Sequence, residues 1–284
     1  MSEIGSFGSY EILGKIETGG FSEIFKVRKG GQVFALKKLR PHLQFDSEYR
    51  FMIQTEARLL TEMNDPEHFP ILYESGNLND EEFLILELIE GLDLRKAIAK
   101  GFDRQRPPGV LVSAEIASHI ASGLENLHAQ SFTEGRPTVH GDLRPSNVML
   151  GLKGGVKMID LGLKGGTFDY MPLERLHDHV ISPYSDIFGL GHILYELLHG
   201  RLLFQGKTKL EAYFEMRERE IREELFDPEI PDAILKILIR CLNQDPSLRY
   251  SQAGEVNEDL RRYLSQQPEK ARAGSIERWF KAGR

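Results

Sequence analysis

The sequence VHGDLRPSNVML at residues 139–150, followed by IDLG at residues 159–162, decides the fold and the chemistry of this chain. It contains Asp142, Asn147 five residues later, and Asp160 between apolar residues typical of a strand. A carboxylate can accept the proton of an attacking hydroxyl, while an amide and a second carboxylate supply oxygen atoms that Mg²⁺ prefers. The order and type of these residues therefore predict Mg²⁺-dependent phosphoryl transfer.

Both stretches resemble the protein kinase signature H-R-D-L-x-x-x-N followed by D-F-G. Two positions depart from it, because Gly141 replaces the arginine and Leu161 replaces the phenylalanine. The resemblance implies that Asp142 is the catalytic base. It also implies that Asn147 and Asp160 bind Mg²⁺ and that ATP is the phosphate donor.

Two more residues of this loop receive roles from the resemblance. Arg144 stands where Ser/Thr kinases carry a lysine beside the γ-phosphate. Arginine keeps the positive charge, but its planar guanidinium is larger and differently directed than an ammonium group. His140 is interpreted as a packed residue that holds the loop rather than as a second base.

The segment IETGGFSEIFKV at residues 16–27 resembles the glycine-rich loop of the family only weakly. The pattern G-x-G-x-x-G-x-V would place glycines at positions 17, 19 and 22, and Gly19 alone matches. Gly20 adds flexibility one place later. A plain hairpin turn is the alternative interpretation, and the resemblance gains weight only from the residues that follow.

The sequence FALK at residues 34–37 resembles the V-A-I-K motif and makes Lys37 the phosphate-binding lysine. A lysine on an interior strand face is costly to bury without a counter-charge. Glu56 lies in a predicted helix over residues 46–63 and matches the glutamate that holds this lysine in the family. A surface lysine and a solvated helix glutamate are the alternatives.

The sequence FLILELIEG at residues 83–91 resembles the strand that ends the small lobe of the family. Leu86 then becomes the gatekeeper, and the backbone groups of Glu87 and Ile89 become partners of the adenine edge. The resemblance implies four more cofactor contacts: Ile24, Ala35 and Met149 around the ring, and Asp93 near ribose or a basic substrate residue. The apolar residues among them are equally well explained as core.

Motifs further along the chain extend the resemblance over about residues 10–264. GTFDYMPLE at residues 166–174 resembles G-T-x-x-Y-x-A-P-E, and Arg249 supplies a partner for Glu174. Asp186 matches the residue that accepts backbone N–H groups of the catalytic loop. Asp186 as a helix N-cap and Arg249 as a surface charge are the alternatives.

The distribution of strand and helix patterns predicts an α+β, two-lobed fold. Predicted strands cover residues 10–18, 23–28, 32–39, 72–74 and 83–88, and predicted helices cover about 46–63, 114–127, 185–198, 231–242 and 255–264. We expect a β-rich ATP-binding lobe over 1–89, a mainly helical lobe over 90–265, and a tail over 266–284. Trp279 and Phe280 interrupt the polar tail and suggest that it docks.

Composition narrows the partners and the compartment. A net charge of −7 gives no basic footprint, so nucleic acid is not an expected partner. The single cysteine, Cys241, excludes an intrachain disulfide and fits a reducing, cytoplasmic location, and its helical apolar context predicts burial. No apolar run approaches the roughly 20 residues that span a bilayer, and the N-terminal sequence does not resemble a signal peptide.

Three functions are consistent with these residues. The first is an ATP- and Mg²⁺-dependent Ser/Thr protein kinase similar to the eukaryotic-like (Hanks-type) kinases of bacteria. The second is a pseudokinase that binds nucleotide and acts as a scaffold, favoured by the departures at Glu17, Gly141, Arg144 and Leu161. The third is a small-molecule kinase, because H-G-D also resembles the loop of aminoglycoside and choline kinases. Those families lack the 166–174 segment, so the third ranks last.

The activation segment is very short. Leu163, Lys164 and Gly165 alone separate Gly162 from the GT sequence at residues 166–167, and none of them carries a hydroxyl. In many kinases the arginine before the catalytic aspartate is a buried cation that a loop phosphate neutralises. Position 141 of this chain is a glycine, so this cation is missing there. We therefore expect catalysis that does not depend on activation-loop phosphorylation, with control by the 46–63 helix, the tail or a partner.

Overall fold

The computed structural model describes residues 5–130, 138–161, 168–178, 180–205 and 208–282, and the chain divides into two compact units. Unit 1 is Met1–Glu90 and unit 2 is Gly91–Arg284. Unit 1 holds the predicted sheet and its long helix, and unit 2 holds most of the helices, which confirms the α+β class.

Unit 1 is built on a six-stranded antiparallel sheet with the strand order β1-β2-β3-β4-β6-β5. The strands are β1 Ser6–Phe7, β2 Tyr10–Thr18, β3 Ser22–Lys29, β4 Gln32–Leu39, β5 Leu72–Leu78 and β6 Glu81–Glu87. Gly30 and Gly31 have φ values of 58° and 83° and form the tight turn between β3 and β4. Aromatic and branched side chains from β1 to β4 and from β6 form one apolar core on this sheet.

The helix of unit 1, α1, covers Ser47–Met63. Asp46 caps its start by accepting the N–H of Glu48 at 2.9 Å, and Asn64 ends it in the left-handed conformation. Its buried residues recur every three or four positions, as expected for a helix with one face against a sheet. They are Met52, Ile53, Glu56, Leu59 and Leu60. Glu56 is thus a charged residue on the apolar face.

Unit 2 is mainly helical, with a three-stranded sheet of order β7-β8-β9. Its strands are β7 Gly91–Asp93, β8 Val148–Gly151 and β9 Val156–Met158. Its helices are α2 Leu94–Asp103, α3 Gly109–His128, α4 Leu173–Asp178, α5 Pro183–His199, α6 Lys209–Glu218, α7 Asp232–Cys241, α8 Ala253–Ser265, α9 Glu269–Arg272 and α10 Ser275–Ala282. The four helices predicted in this part of the sequence correspond to α3, α5, α7 and α8.

Helix α5 is the centre of unit 2, because every residue from Ser185 to Leu197 is buried. A capping box at Ser182 starts it, and Gly200 with φ 68° ends it. A Cβ on Gly191 would lie 2.8 Å from Cβ of Cys241, so glycine permits α7 to pack closely. Cys241 is buried, as predicted, and burial raises the pKa of its thiol to about 12.

The tail forms α9 and α10 and docks on unit 2, as its aromatic residues suggest. The indole Nε1 of Trp279 donates to the backbone oxygen of Arg106 at 3.0 Å, while Ile276 and Phe280 are buried. Ser275 is also buried and donates a hydrogen bond to Glu115. Across the described ranges, no helix combines the length and the apolar character needed to cross a membrane.

Candidate active site

Unit 1 contains the predicted lysine–glutamate pair. Lys37 lies on β4 and Glu56 on α1, and Nζ of the lysine is 2.5 Å from Oε2 of the glutamate. Their side chains are only 2% and 3% exposed. The ring of Phe21 lies 5.9 Å from Nζ, within the range of a cation–π contact. A surface lysine and a solvated glutamate are therefore both wrong interpretations.

A second, unpredicted carboxylate fixes α1 against the sheet. Glu82 on β6 accepts hydrogen bonds from Arg50 at 2.9 Å and from Gln54 at 3.0 Å, and it is itself buried. These contacts fix one turn of α1 against β6. Glu56, on the same helix, then faces Lys37 on β4. The sequence carries no signal for this role, because two consecutive glutamates in a predicted strand indicate a solvent-exposed end of that strand.

The glycine segment forms the turn between β2 and β3. The N–H of Gly19 donates to the oxygen of Ser22 at 2.8 Å, while Phe21 stacks on Tyr49 of α1 at 6.3 Å between ring centroids. Gly20 accepts a hydrogen bond from Arg40 at 3.4 Å. The turn is thus both a hairpin and a loop whose aromatic residue packs beside the lysine–glutamate pair.

The predicted adenine contacts of unit 1 lie at the end of β6 and on its neighbours. Ala35 and Leu86 are cross-strand partners and are both buried, and Ile24 on β3 is partly exposed. The N–H of Glu87 donates to the oxygen of Ile71 at 2.8 Å, so only its carbonyl could face a ligand. Ile89 follows in the segment without regular structure that ends unit 1.

Two of the predicted cofactor residues belong to the small sheet of unit 2. Asp93 on β7 is the register partner of Met149 on β8. The carboxylate of Asp93 accepts the N–H of Lys96 at 2.9 Å and pairs with its ammonium group at 2.7 Å. Asp93 is therefore the N-cap of α2, a structural role that the resemblance did not predict.

The catalytic loop brings Asp142, Arg144 and Asn147 into direct contact. Oδ2 of Asp142 accepts hydrogen bonds from Nδ2 of Asn147 at 2.9 Å and from Nε of Arg144 at 3.1 Å. The same amide nitrogen donates to the backbone oxygen of Asp142 at 2.8 Å. Because the nitrogen of Asn147 is directed toward Asp142, its amide oxygen is the atom that could bind a metal ion.

Left-handed backbone conformations mark both ends of this region. Gly141 has φ 78° and Asp160 has φ 63°. A side chain is disfavoured at such angles, although Asp and Asn tolerate them better than most residues, and strained backbone is concentrated at functional sites. Glycine is therefore well suited to position 141, where a larger residue would be strained.

Asp186 holds the loop from α5, as predicted. Its carboxylate accepts the N–H of His140 at 2.7 Å and that of Gly141 at 3.0 Å, and Nε2 of His128 lies at 2.9 Å. Burial by itself raises the pKa of Asp186, but the His128 contact and the loop hydrogen bonds together lower it below the ordinary value. The N-cap interpretation of Asp186 is wrong, because Ser182 caps α5.

His140 is fully buried, and burial lowers the pKa of its imidazole. The carboxylate charges of Asp186, Asp142 and Asp160 oppose this shift. A neutral, buried histidine that accepts the N–H of Asp142 at 3.4 Å fits a packed structural residue. His128, the other histidine of this network, was missed by the sequence analysis, since a histidine at a helix end carries no specific signal.

The predicted pair between Glu174 and Arg249 is present. Two nitrogen atoms of the guanidinium donate to the two carboxylate oxygens at 2.7 and 3.0 Å, and the arginine side chain is fully buried. Its Nε also donates to the oxygen of Asn243 at 2.7 Å. Arg249 is therefore not a surface charge. Residues 162–167, with the predicted glycine and threonine of the activation segment, lie outside the described residues.

Comparison with known proteins agrees with this geometry. A protein kinase domain model matches residues 10–260. A probable serine/threonine-protein kinase of Streptomyces coelicolor is 29% identical over 285 residues, covering 92% of this chain and 41% of that protein. Serine/threonine-protein kinase PrkC of Bacillus subtilis is 24% identical, covering 89% of this chain and 40% of PrkC.

A probable serine/threonine-protein kinase PknB of Lactococcus lactis is 24% identical, covering 88% of this chain and 41% of that protein. The chain thus spans about two fifths of the length of these curated relatives. The predicted resemblance to bacterial Hanks-type kinases is confirmed, because the family model covers most of the chain. The chain belongs to the protein kinase domain family.

Proposed function

We propose that this domain transfers the γ-phosphate of ATP, with Mg²⁺, to serine or threonine hydroxyls of protein substrates. The observation that carries the proposal is the contact of Asp142 with Asn147 at 2.9 Å in a loop held by Asp186. It presents a proton-accepting carboxylate beside an amide oxygen of the kind that binds Mg²⁺.

The residues of unit 2 fit a bound Mg²⁺. Asn147 offers an amide oxygen and Asp160 a carboxylate, which are hard oxygen ligands suited to this ion. We propose that they hold the metal, whose chemistry would be to neutralise charge on the phosphates. Asp142 would accept the proton of the substrate hydroxyl. Arg144, next to Asp142, would place a positive charge near the transferring phosphoryl group.

The residues of unit 1 fit the phosphates and the adenine of ATP. Lys37 would donate to the phosphates while Glu56 fixes the direction of its side chain. The apolar Ile24, Ala35 and Leu86 would contact the adenine, and the backbone of Glu87 and Ile89 would hydrogen-bond its edge. For unit 2, Met149 is proposed as a further adenine contact. Gly19 and Gly20 would allow backbone near the phosphates. A buried lysine that is held in place by one carboxylate supports this assignment.

The test is transfer of labelled γ-phosphate from ATP to the protein itself and to a generic protein substrate. Asp142→Asn removes the base while keeping the shape, and we expect the transfer rate to fall at least about a hundredfold. Asp103→Asn, at an exposed aspartate near the end of α2, is the matched control and should keep wild-type transfer. Equal rates in wild type and Asp142→Asn would reject the proposal.

A pseudokinase is the second candidate, and the Arg144–Asp142 ion pair favours it. Nε of Arg144 occupies an oxygen of the proposed base at 3.1 Å, and this could keep the carboxylate from a substrate hydroxyl. Such a protein would bind nucleotide without transferring phosphate. Arg144→Lys tests this contact, since the shorter ammonium removes the planar fork while keeping the charge. A kinase should transfer phosphate as the wild type and retain or raise its rate in Arg144→Lys. A pseudokinase blocked by this contact should bind ATP without transfer as the wild type and gain transfer in Arg144→Lys.

We also propose that activity does not depend on phosphorylation of the activation segment. The support is Gly141, whose left-handed backbone carries no guanidinium that a phosphate would neutralise. Control would come from α1, from the α9–α10 tail or from a partner. We also propose a cytoplasmic location, on the basis of the single cysteine. Protein substrates for the whole polypeptide are part of the same proposal.

A further inference from the structure

Helix α10 is amphipathic, and its apolar face is packed within unit 2. Ile276 and Phe280 are four residues apart, so they lie on one face of the helix, and both are buried. Ser275 at the start of the helix is also buried, and it donates a hydrogen bond to Glu115 of α3. The helix is therefore part of the folded unit, and its neighbours indicate which elements it supports.

The neighbour of Trp279 is α2. A Cβ on Gly101 of α2 would lie 3.3 Å from Cζ2 of the indole, so this glycine lets the ring approach the helix backbone closely. Nε1 of the indole donates to the backbone oxygen of Arg106, and the N–H of Arg106 donates to the oxygen of Gly101 at 2.7 Å. Phe280 and Ala97, one turn earlier in α2, line the same small cavity. The two aromatic residues of α10 thus contact the C-terminal half of α2.

The other end of α2 lies at the candidate active site. The helix starts after its N-cap, Asp93, whose strand partner is Met149. It packs beside the turn at residues 145–147, and Asn147, which ends this turn, donates to Oδ2 of Asp142 at 2.9 Å. A packed helix moves as a rigid element, so contacts at one of its ends affect the position of the other.

We infer that Trp279 is a positioning residue, which holds α2 against the 145–147 turn and thereby fixes Asn147 beside Asp142. Its effect on catalysis rests on the proposed function, whereas the coupling between the tail and the turn does not. Ile276 anchors the same helix on the other side, because it lines a cavity with Glu115 of α3. Release of α10 from α3 should therefore loosen the turn as well.

Hydrogen exchange measured by mass spectrometry tests the coupling without nucleotide. Trp279→Ala should raise the exchange rate of the amides in residues 142–147 about tenfold, because the turn would open locally more often. Trp279→Phe keeps a ring on Gly101 and should restore most of the protection. Lys281→Ala is the matched control, since this side chain lies on α10 and is 63% exposed. Unchanged exchange of residues 142–147 in Trp279→Ala would overturn the inference. An equal rise in α7 would overturn it too, because it would report lower stability of the whole unit.

A second variant approaches the same coupling from α3. The chain has one tryptophan, so its fluorescence reports the tail alone. Ile276→Ala should raise both the quenching of Trp279 by acrylamide and the exchange of residues 142–147. Stronger quenching with unchanged exchange would show that α10 can leave α2 without effect on the turn, and this would contradict the inference.

Kinetics of these variants test the positioning role. Trp279→Ala should lower kcat about tenfold while KM for ATP changes less than about twofold, and Trp279→Phe should recover most of kcat. Faster exchange of residues 142–147 together with an unchanged kcat would overturn the positioning role. If the wild type binds ATP without transferring phosphate, the proposed function fails, and the exchange experiment still decides whether the tail is coupled to the turn.

Discussion

The two units handle buried charge in different ways. In unit 1, Lys37 and Glu56 form an ion pair of 2.5 Å with side chains only 2% and 3% exposed. In unit 2, Asp142 shares its oxygen between Asn147 at 2.9 Å and Arg144 at 3.1 Å, and the arginine reaches solvent. Lys37 and Glu56 thus form an ion pair between a strand and a helix that is shielded from solvent. Asp142 instead belongs to a hydrogen-bond network within one loop.

This difference separates folding from chemistry. Removing one partner of a dry ion pair leaves a charge in the interior, and such changes cost about 3–5 kcal/mol. Removing one member of a network leaves other donors in place, especially where water can reach the rest. Changes in unit 1 should therefore affect folding and activity together, whereas changes in the loop of unit 2 should affect activity alone.

The largest expected effect tests the unit 2 half of this comparison. Asp160→Asn keeps the shape and tolerates φ 63°, whereas alanine at this position would add backbone strain. We expect phosphoryl transfer to fall on the order of a thousandfold, because the proposed Mg²⁺ site would lose its carboxylate ligand. The thermal unfolding temperature should stay within a few degrees of wild type. Wild-type turnover in Asp160→Asn would contradict the metal assignment.

The second prediction tests the unit 1 half. Lys37→Met should abolish transfer and also lower the free energy of unfolding by about 3 kcal/mol, because Glu56 loses its cation. The double variant Lys37→Met/Glu56→Leu should recover most of this stability and none of the activity. Denaturant titrations and the transfer assay measure both quantities. A stable, inactive Lys37→Met protein would show that folding and chemistry are separable in unit 1 as well.

The sequence predicted what depends on local pattern and on motif. The strands β2, β3 and β4 and the helices α1, α3 and α5 follow from alternation and helical spacing, and the motifs predicted the Lys37–Glu56 and Glu174–Arg249 pairs. It did not predict α2 and α6. Helix α6 has no strong apolar face, and α2 is short, with an N-cap that the resemblance assigned to the cofactor.

The missed site residues share another cause. Glu82 and His128 are ordinary polar residues whose roles arise from partners far away in the sequence. Arg50 and Gln54 are about thirty residues from Glu82, and Asp186 is 58 residues from His128. Local propensity does not report such contacts, and no family motif in the sequence marks these two positions.

The third prediction concerns acid, and it places the pH sensitivity in unit 2. His192 on α5 is fully buried among the rings of Phe188, Phe204 and Tyr170, and burial lowers the pKa of its imidazole to about 3. An unfolded histidine titrates near pH 6.5. Between these values the unfolded chain binds a proton that the folded chain does not. The free energy of unfolding therefore falls as the pH falls, by about 1.4 kcal/mol per pH unit.

His192→Phe should remove this contribution to the pH dependence of the free energy of unfolding. At pH 7.5 the variant should be at least as stable as wild type, because within the described residues neither ring nitrogen of His192 has a hydrogen-bond partner. Lowering the pH from 7.5 to 5.5 should increase the stability advantage of the variant over wild type by about 1.4 kcal/mol. Burial also lowers the pKa of His140 and His199, so some acid sensitivity should remain. An unchanged slope in His192→Phe would contradict the assignment.

The last prediction is that removal of phosphate does not change the initial rate. It tests whether the catalytic loop of unit 2 is complete without modification. Gly141 provides no cation, and Asp142 already pairs with Arg144 within the same unit. A phosphate on residues 160–174 would therefore find no arginine at position 141 to neutralise. Phosphatase treatment, with mass spectrometry to confirm that these residues are unmodified, should leave the initial rate on a peptide substrate within about twofold of a mock-treated sample. The progress curve should show no lag. A lag that disappears once a residue between 160 and 174 is phosphorylated would show that the loop needs an external charge.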